Sequence, residues 1–308
     1  MTIMPADITV LLSVYKKAPF LEDFLQSLER QTCRDFRLLC RFDDPENNEP
    51  NKAILRKYGF AEILEDESHL GVVETYNRLL KSAGKVPYIM FADQDDIWHP
   101  DKIESAFEQI KQAEKEFSPA TPILCHSDLR VVSGDLQEIS PSFMKYQTLD
   151  SSRRKFKELL IQNNITGCTV IINRAMADLV DFPADAICHD WYLALIASAF
   201  GKIVFQDRAT IDYRQHGGNC YGAVPRKNLI SGCFGRRELR NRLLLTQRQA
   251  GAFLNQFGEK LPPAERELLS VWSTLPEKKF WIGRLLTVWK YHIAKSDFLR
   301  TLGLWWAV

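Results

Sequence analysis

The chain has 308 residues, 45% of them hydrophobic and 26% charged, with only 15 Gly and 14 Pro; this excludes fibrous and low-complexity classes and allows one large α/β domain with an appendage. The net charge is +1, but 15 Lys/Arg against 6 Asp/Glu in 226–308 give that stretch +9 and leave −8 on 1–225. An acidic body with a basic tail implies two tasks.

Residues 8–14 (ITVLLSV) are a continuous aliphatic run and read as a strand buried on both faces. Pro19 opens a helical pattern with Leu21, Phe24, Leu25 and Leu28 on one face. A strand over 36–42 stops at the turn signal Asp43-Asp44-Pro45. The pattern then predicts a short helix over 50–58, a brief strand at 63–64 and a helix over 72–82. The apolar strand 86–92 ends abruptly at Asp93-Gln94-Asp95-Asp96, a helix follows from Pro100 to about 117, and 123–126 is another strand. Such alternation predicts a mostly parallel sheet with helices on both faces, and ligands bind such sheets beyond the carboxyl ends of the strands. Acidic residues stand at three such ends: Asp43-Asp44, Asp93 to Asp96, and Asp128. Further on, 168–173 reads as a strand, 190–200 as an apolar helix, and 202–205 with 210–214 as an antiparallel pair. From 226 the pattern is helical only, over 236–257 and 276–306, with Trp interleaved among Arg and Lys.

Seven cysteines occur with no C-x-x-C spacing, so reduced thiols are expected rather than a disulfide framework or a zinc site. Residues 1–7 carry no secretory signal, and no run of about 18 apolar residues exists to span a bilayer. The expected location is cytoplasmic.

The chemistry concentrates at YIMFADQDD (88–96), where an apolar strand delivers carboxylates at i and i+2 into a loop. A hard divalent cation takes oxygen ligands and leaves positions open for phosphates. Held between a carboxylate and a diphosphate, it neutralises charge that builds on a leaving diphosphate.

On VLLSVY (10–15), FDD (42–44), GVVETYNRLLKSAG (71–84), FADQDDIWHPDKI (91–103), TGCTVIINR (166–174), HDWYLALIASAFG (189–201) and YRQHGGN (213–219), in this order and spacing, the chain resembles glycosyltransferase family 2. The pair HDW and YRQHG is similar to bacterial rhamnosyltransferases of surface polysaccharide synthesis. The resemblance implies a GT-A (Rossmann-like) α/β catalytic domain over 1–225, with nucleotide-sugar binding in about 1–127 and the acceptor side in about 128–225. Residues 226–308 would be a helical extension. It implies an inverting, metal-dependent hexosyltransferase. Ser13, Val14 and Tyr15 would border the base, Asp43 would accept from a uracil or thymine imide, and Asp93 and Gln94 would face ribose and diphosphate. Asp95 and His216 would hold Mn²⁺ or Mg²⁺. Asp190 would be the catalytic base, an N-cap or first-turn acid being its plain structural role. His126, Asp128, Thr166, Gly167, His189 and Trp191 would lie on the acceptor side.

The implied donor is dTDP-L-rhamnose and the implied acceptor a glycan on a polyprenyl diphosphate, in O-antigen or capsule assembly. A UDP-hexose (glucosyl or galactosyl) transferase and a non-catalytic nucleotide-sugar-binding protein are the alternatives. A nucleotidyltransferase is a third, but SVYKKAPF (13–20) lacks the Gly-rich phosphate loop it would need. The tail would pack on the core, join subunits of a homo-oligomer, or seat the protein peripherally on an anionic membrane. Nucleic acid is not expected, since no fold motif accompanies the basic segment.

Overall fold

The computed structural model describes residues 7–16, 18–44, 48–65, 68–216 and 235–308. The expected boundary between 225 and 226 and the end of the YRQHGGN motif, 217–219, lie outside the described residues.

The central sheet is built from β1 (Ile8–Val14), β2 (Phe36–Phe42), β3 (Ala61–Leu64), β4 (Tyr88–Ala92), β5 (Ile97–Trp98), β6 (Ile123–Ser133), β7 (Glu138–Ser140), β8 (Ile171–Asn173) and β9 (Lys202–Gln215). Its order is β3-β2-β1-β4-β8-β6-β9-β5, with β7 on β6. The first half is parallel, β2 and β4 flanking β1. Strand β8 is antiparallel to both β4 and β6. The expected mostly parallel central sheet of a GT-A fold is present, with antiparallel pairing where β5, β7 and β8 join it.

Strand β1 is buried on both faces, as its unbroken aliphatic run requires. Leu11 enters one apolar cluster and Val10 and Leu12 the other, because successive side chains alternate across the sheet. One layer contains α1 (Leu21–Glu29), α2 (Asn48–Leu55) and α4 (Lys102–Phe117). The short helix α5 (Phe143–Tyr146) joins that layer through Phe143, while the other contains α3 (Val72–Ala83), the short helices α6 (Phe156–Leu159) and α7 (Arg174–Ala177), and α8 (His189–Phe200). Its cluster continues into α9 (Arg236–Phe257), α10 (Pro263–Ser273), α11 (Trp281–Lys290) and α12 (Phe298–Ala307) through Phe253, Trp272, Val288 and Leu304.

Two expectations change. Residues 202–214 are not an antiparallel pair but one strand, β9, parallel to β6 from Ile123↔Lys202 to Ser133↔Gln215. The polar stretch Gln206 to Arg208, which reads as a turn, is absorbed by register shifts at Ser127/Asp128 and Asp128/Arg130. Residues 167–169 form a 3-10 turn, so only 171–173 of the predicted strand pair. The length of β9 matters for the site: it returns from the end of α8 and pairs antiparallel with β5, Ile97 opposite Asp212. That pairing brings residues just beyond Asp212 to the acidic loop just before Ile97.

The join of α8 to β9 depends on Gly201, because a Cβ there would lie 1.9 Å from the Pro122 carbonyl oxygen, which accepts from Lys202 N. Gly201→Ala should lower stability by about 3 kcal/mol, measured by urea unfolding. A change within about 0.5 kcal/mol would show that this approach is not required.

Candidate active site

The ends of β1, β2, β4 and β9 and the start of α8 build the candidate site. At the end of β1, Ser13 is half-buried and Val14 buried, and the backbone of Tyr15 is clasped by Gln94: Tyr15 N donates to Oε1 (2.9 Å) and Nε2 donates to Tyr15 O (3.2 Å). Gln94 thus ties the loop after β4 to the end of β1. The Tyr15 ring stacks on His69 at 5.4 Å.

At the end of β2, the buried Asp43 holds the entry to α3. Its carboxylate accepts from Leu70 N (2.7 Å), Gly71 N (2.8 Å) and Arg41 Nη1 (2.7 Å), while His69 Nδ1 lies 3.1 Å from Oδ2. Arg41 is fully buried and also donates to Thr75 Oγ1 (2.9 Å). Gly71 has φ +79°, a turn that suits glycine, where the chain enters α3. The acceptor sites of Asp43 are thus largely occupied by the protein.

The loop after β4 gathers the acids. Tyr76 of α3 donates to Ala92 O (2.9 Å) at the last residue of the strand. Asp93 is half-buried, and burial followed by the charges of Asp95 and Asp190 pushes its carboxyl up to about 7. Burial, then Asp93 and Asp95, pushes the fully buried Asp96 well above the usual carboxylate range. Its Oδ1 accepts from Arg214 N at 3.4 Å and its Oδ2 has no partner. Ligand atoms of Asp93, Asp96 and Cys168 lie within 4.8 Å of one another.

Just past β9, His216 Nε2 meets Asp95 Oδ2 at 2.6 Å, with the Phe20 ring 5.1 Å from the imidazole. Arg214 supports this junction. It donates to Asp95 O (3.0 Å), Gly134 O (2.8 Å) and Asp23 Oδ2 (2.8 Å), and its guanidinium lies 4.1 Å from the Phe20 ring centre. Carboxylates and an imidazole meet here at one strand end, and among the described residues Asp93, Asp96 and Cys168 are the group whose ligand atoms lie close enough together to hold a metal ion.

Asp190 lies in the first turn of α8, whose N-cap residue is Cys188. Its Oδ2 accepts from Gly167 N (3.0 Å), and its Oδ1 from Trp191 N (2.6 Å) and Asn163 Nδ2 (3.2 Å). Gly167 is followed by Cys168, a ligand atom of which lies within 4.8 Å of those of Asp93 and Asp96, so this carboxylate stands beside the acidic group. Beside it, His189 is buried between Tyr76 (4.0 Å) and Phe91 (5.3 Å). Burial lowers its pKa against the opposing pull of Asp190, and neither ring nitrogen has a hydrogen-bond partner. Gly167 must lack a Cβ, which would fall 2.4 Å from His189 Nε2. Thr166 opens the same turn, its carbonyl accepting from Thr169 N (3.0 Å). Trp191 packs against the core and donates from Nε1 to Leu159 O.

His126 and Asp128 are placed differently. His126 is buried within β6 against Phe205 (5.0 Å), and burial lowers its pKa to about 3. The Asp128 carboxylate accepts from Leu129 N (2.8 Å), Met144 N (3.1 Å) and Ser142 Oγ, so it holds the start of α5. Sequence reasoning missed Arg214, Asn163, Cys168 and Arg41. Only Arg214 left a usable signal: strand alternation puts it two residues from His216.

The glycosyl transferase family 2 model matches residues 9–179. The dTDP-rhamnosyl transferase RfbG of Shigella flexneri is 28% identical over 166 residues, 50% of this chain and 52% of that protein. The uncharacterised glycosyltransferase YwdF of Bacillus subtilis (strain 168) is 29% identical over 126 residues, 41% and 43% of the two chains. The chain therefore spans about half the length of the curated relatives it matches. Among solved structures, S. aureus TarS in complex with UDP-GlcNAc superposes with TM-score 0.53 at 15% identity, covering 92% of this chain and 80% of that one. The mannosyltransferase PcManGT from Pyrobaculum calidifontis, in complex with GDP-Man and Mn²⁺, gives 0.54 at 14%, covering 94% and 76%. At such identity these two likenesses concern the fold.

The Asp43 geometry makes a prediction. Asp43→Ala leaves Arg41 buried without its carboxylate and two backbone N–H groups without an acceptor, so stability should fall by about 3 kcal/mol in urea unfolding without nucleotide. Unchanged stability would mean that Asp43 does not anchor the 68–71 segment.

Proposed function

We propose that this chain, which belongs to glycosyl transferase family 2, moves a sugar from a nucleotide diphosphate to an acceptor hydroxyl with inversion, Asp190 serving as base. The observation that carries the reading is a convergence at the end of β4: Asp190 accepts from Gly167 N, and a ligand atom of the next residue, Cys168, lies within 4.8 Å of those of Asp93 and Asp96.

In this reading, 1–225 is the catalytic unit and 226–308 an extension. Ser13, Val14 and Tyr15 border the base. The occupied Asp43 shapes that pocket, and it reads a uracil or thymine imide when one of its amide donors gives way. Asp93 faces ribose and diphosphate, and Gln94 keeps the two strand ends together. Asp95 and His216 would hold Mn²⁺ or Mg²⁺, which would supply positive charge against the departing diphosphate. As the acceptor oxygen attacks the anomeric carbon, Asp190 takes its proton and the bond from that carbon to the phosphate oxygen breaks. Three N–H donors fix the Asp190 carboxylate and the Cys188 thiol adds a side-chain hydrogen bond to it, so in this reading the thiol gives way to the acceptor hydroxyl. Gly167, Thr166, His189 and Trp191 form the wall beside this base, with His189 neutral. For His126 and Asp128 the reading is a supporting role behind the acceptor side.

For the finer assignments, the match to a dTDP-rhamnosyl transferase supports dTDP-L-rhamnose as donor. The acceptor is proposed to be a polyprenyl-diphosphate-linked glycan of O-antigen or capsule, reached from the cytoplasmic face of the membrane. A UDP-hexose donor is the second reading, supported by the UDP-GlcNAc bound to TarS.

Asp190→Asn should reduce turnover by ~10²-fold or more, leave donor binding nearly unchanged, and lower stability by only about 1 to 2 kcal/mol, because one N–H donor loses its acceptor. Turnover, donor affinity and melting temperature measured together decide the point: near-normal turnover with a lowered melting temperature would reduce Asp190 to a helix-start acid.

A further inference from the structure

Helices α11 and α12 each bury one face and expose the other. Thr287 and Val288 of α11, and Leu304 and Ala307 of α12, are buried. On the outside stand Trp281, Leu286 and Trp289 of α11, Phe298 and Trp306 of α12, and Phe280, which is 78% exposed. The two helices lie side by side, since the exposed Trp289 of α11 is in edge contact at 5.9 Å with Trp305 of α12, which packs against the core. Soluble proteins rarely leave so many large side chains in one apolar patch without a partner.

The partner is indicated by charge. Residues 278–308 carry six Lys/Arg against one acid, Asp297. Lys278, Lys279 and Lys290 are exposed on α11 or just before it. The first turn of α9 adds exposed Arg236, Arg237 and Arg240, and Arg236 Nε donates to Trp306 O at 3.0 Å, which sets that turn against the patch. Tryptophan favours the headgroup region of a bilayer, and clustered Lys and Arg are drawn to anionic lipid. A second copy would bring basic clusters face to face. Among the described residues no helix is long and apolar enough to cross a membrane, so the contact would lie in the interfacial plane.

We propose that the outer faces of α11 and α12, with the first turn of α9, form a docking surface for an anionic lipid leaflet. It goes beyond the transfer reaction and holds whatever the donor. It bears on the proposed acceptor through one connection, which rests on the reading above. Between the two helices, Ser296 exchanges hydrogen bonds with Gln162 (2.8 and 3.0 Å), and the next residue, Asn163, donates to Asp190. The docking face is thereby braced to the loop that holds the proposed base, a position suited to an acceptor carried in that leaflet.

The test uses the full chain, sedimented with vesicles of phosphatidylcholine alone and of phosphatidylcholine mixed with phosphatidylglycerol. Binding is expected only to the anionic vesicles, weakened by salt and accompanied by a blue shift of tryptophan emission. The double variants Trp281→Ser/Phe298→Ser and Lys278→Glu/Lys279→Glu should each weaken it by about tenfold or more, with nucleotide affinity unchanged on the same samples. No binding to the anionic vesicles, or binding that both variants retain in full, would overturn the proposal. So would a wild-type dimer in analytical ultracentrifugation that the Trp281→Ser/Phe298→Ser variant turns into a monomer. Neither failure would touch the transfer reaction, because nucleotide affinity is read separately.

Discussion

Like charges gathered where β4 stops govern the arrangement of the rest of this molecule. Burial first, and then the neighbouring charges, raise the Asp93 and Asp96 carboxyls: Asp95 and Asp190 act on Asp93, and Asp93 and Asp95 act on Asp96. Four acids in one place oppose folding unless the scaffold compensates, and the scaffold does so at identifiable points. Arg214 donates to the carbonyl of Asp95, His216 meets its carboxylate, and N–H groups of Gly167 and Trp191 face Asp190. The sheet supplies the stiffness: β1 and β4 pair in register, Tyr76 fixes the last carbonyl of β4, and Gln94 closes the gap to β1. In the proposed reading, this concentration of negative charge at a strand end would favour a cation, and with it a phosphorylated donor.

Much of this was legible in the sequence. The run ITVLLSV is uniformly apolar because both faces of β1 are covered, and YIMFA before Asp93 is apolar for the same reason. An acid run directly after such a strand has one place to go, the strand end. Asp190 was legible as the acid that opens an apolar helix. What escaped was the contact pattern. Asn163 reaches Asp190 across 27 residues, and Arg214 reaches Asp23 across 191, and no local pattern encodes such pairings. The carboxylate of Asp128 looked like a strand-end acid, yet β6 runs on to Ser133, so Asp128 falls inside the strand and holds the start of α5. The antiparallel pair expected in 202–214 failed because a polar bulge and a turn share the same residues.

The C-terminal helices follow a second constraint. Their inner faces extend the apolar layer of α8, and Phe253 packs against Tyr192 and Phe156. The Gln162–Ser296 exchange and the bond from Arg300 to Thr148 O (2.9 Å) carry the connection to the segment before Asn163. The basic tail is thus tied to the part of the acidic body that positions Asp190, and the charge asymmetry visible in the sequence has a structural counterpart.

The account rests on the acidic cluster being built for a cation and a nucleotide diphosphate at once. Calorimetric titration of dTDP into the full chain, with and without Mn²⁺, tests this most directly. The account predicts that each ligand tightens the other by about tenfold or more, because in the proposed reading the diphosphate would share one ion with Asp95 and His216, and that GDP binds less well than dTDP. A dTDP affinity that does not change with Mn²⁺, or with Asp95→Ala, would contradict it.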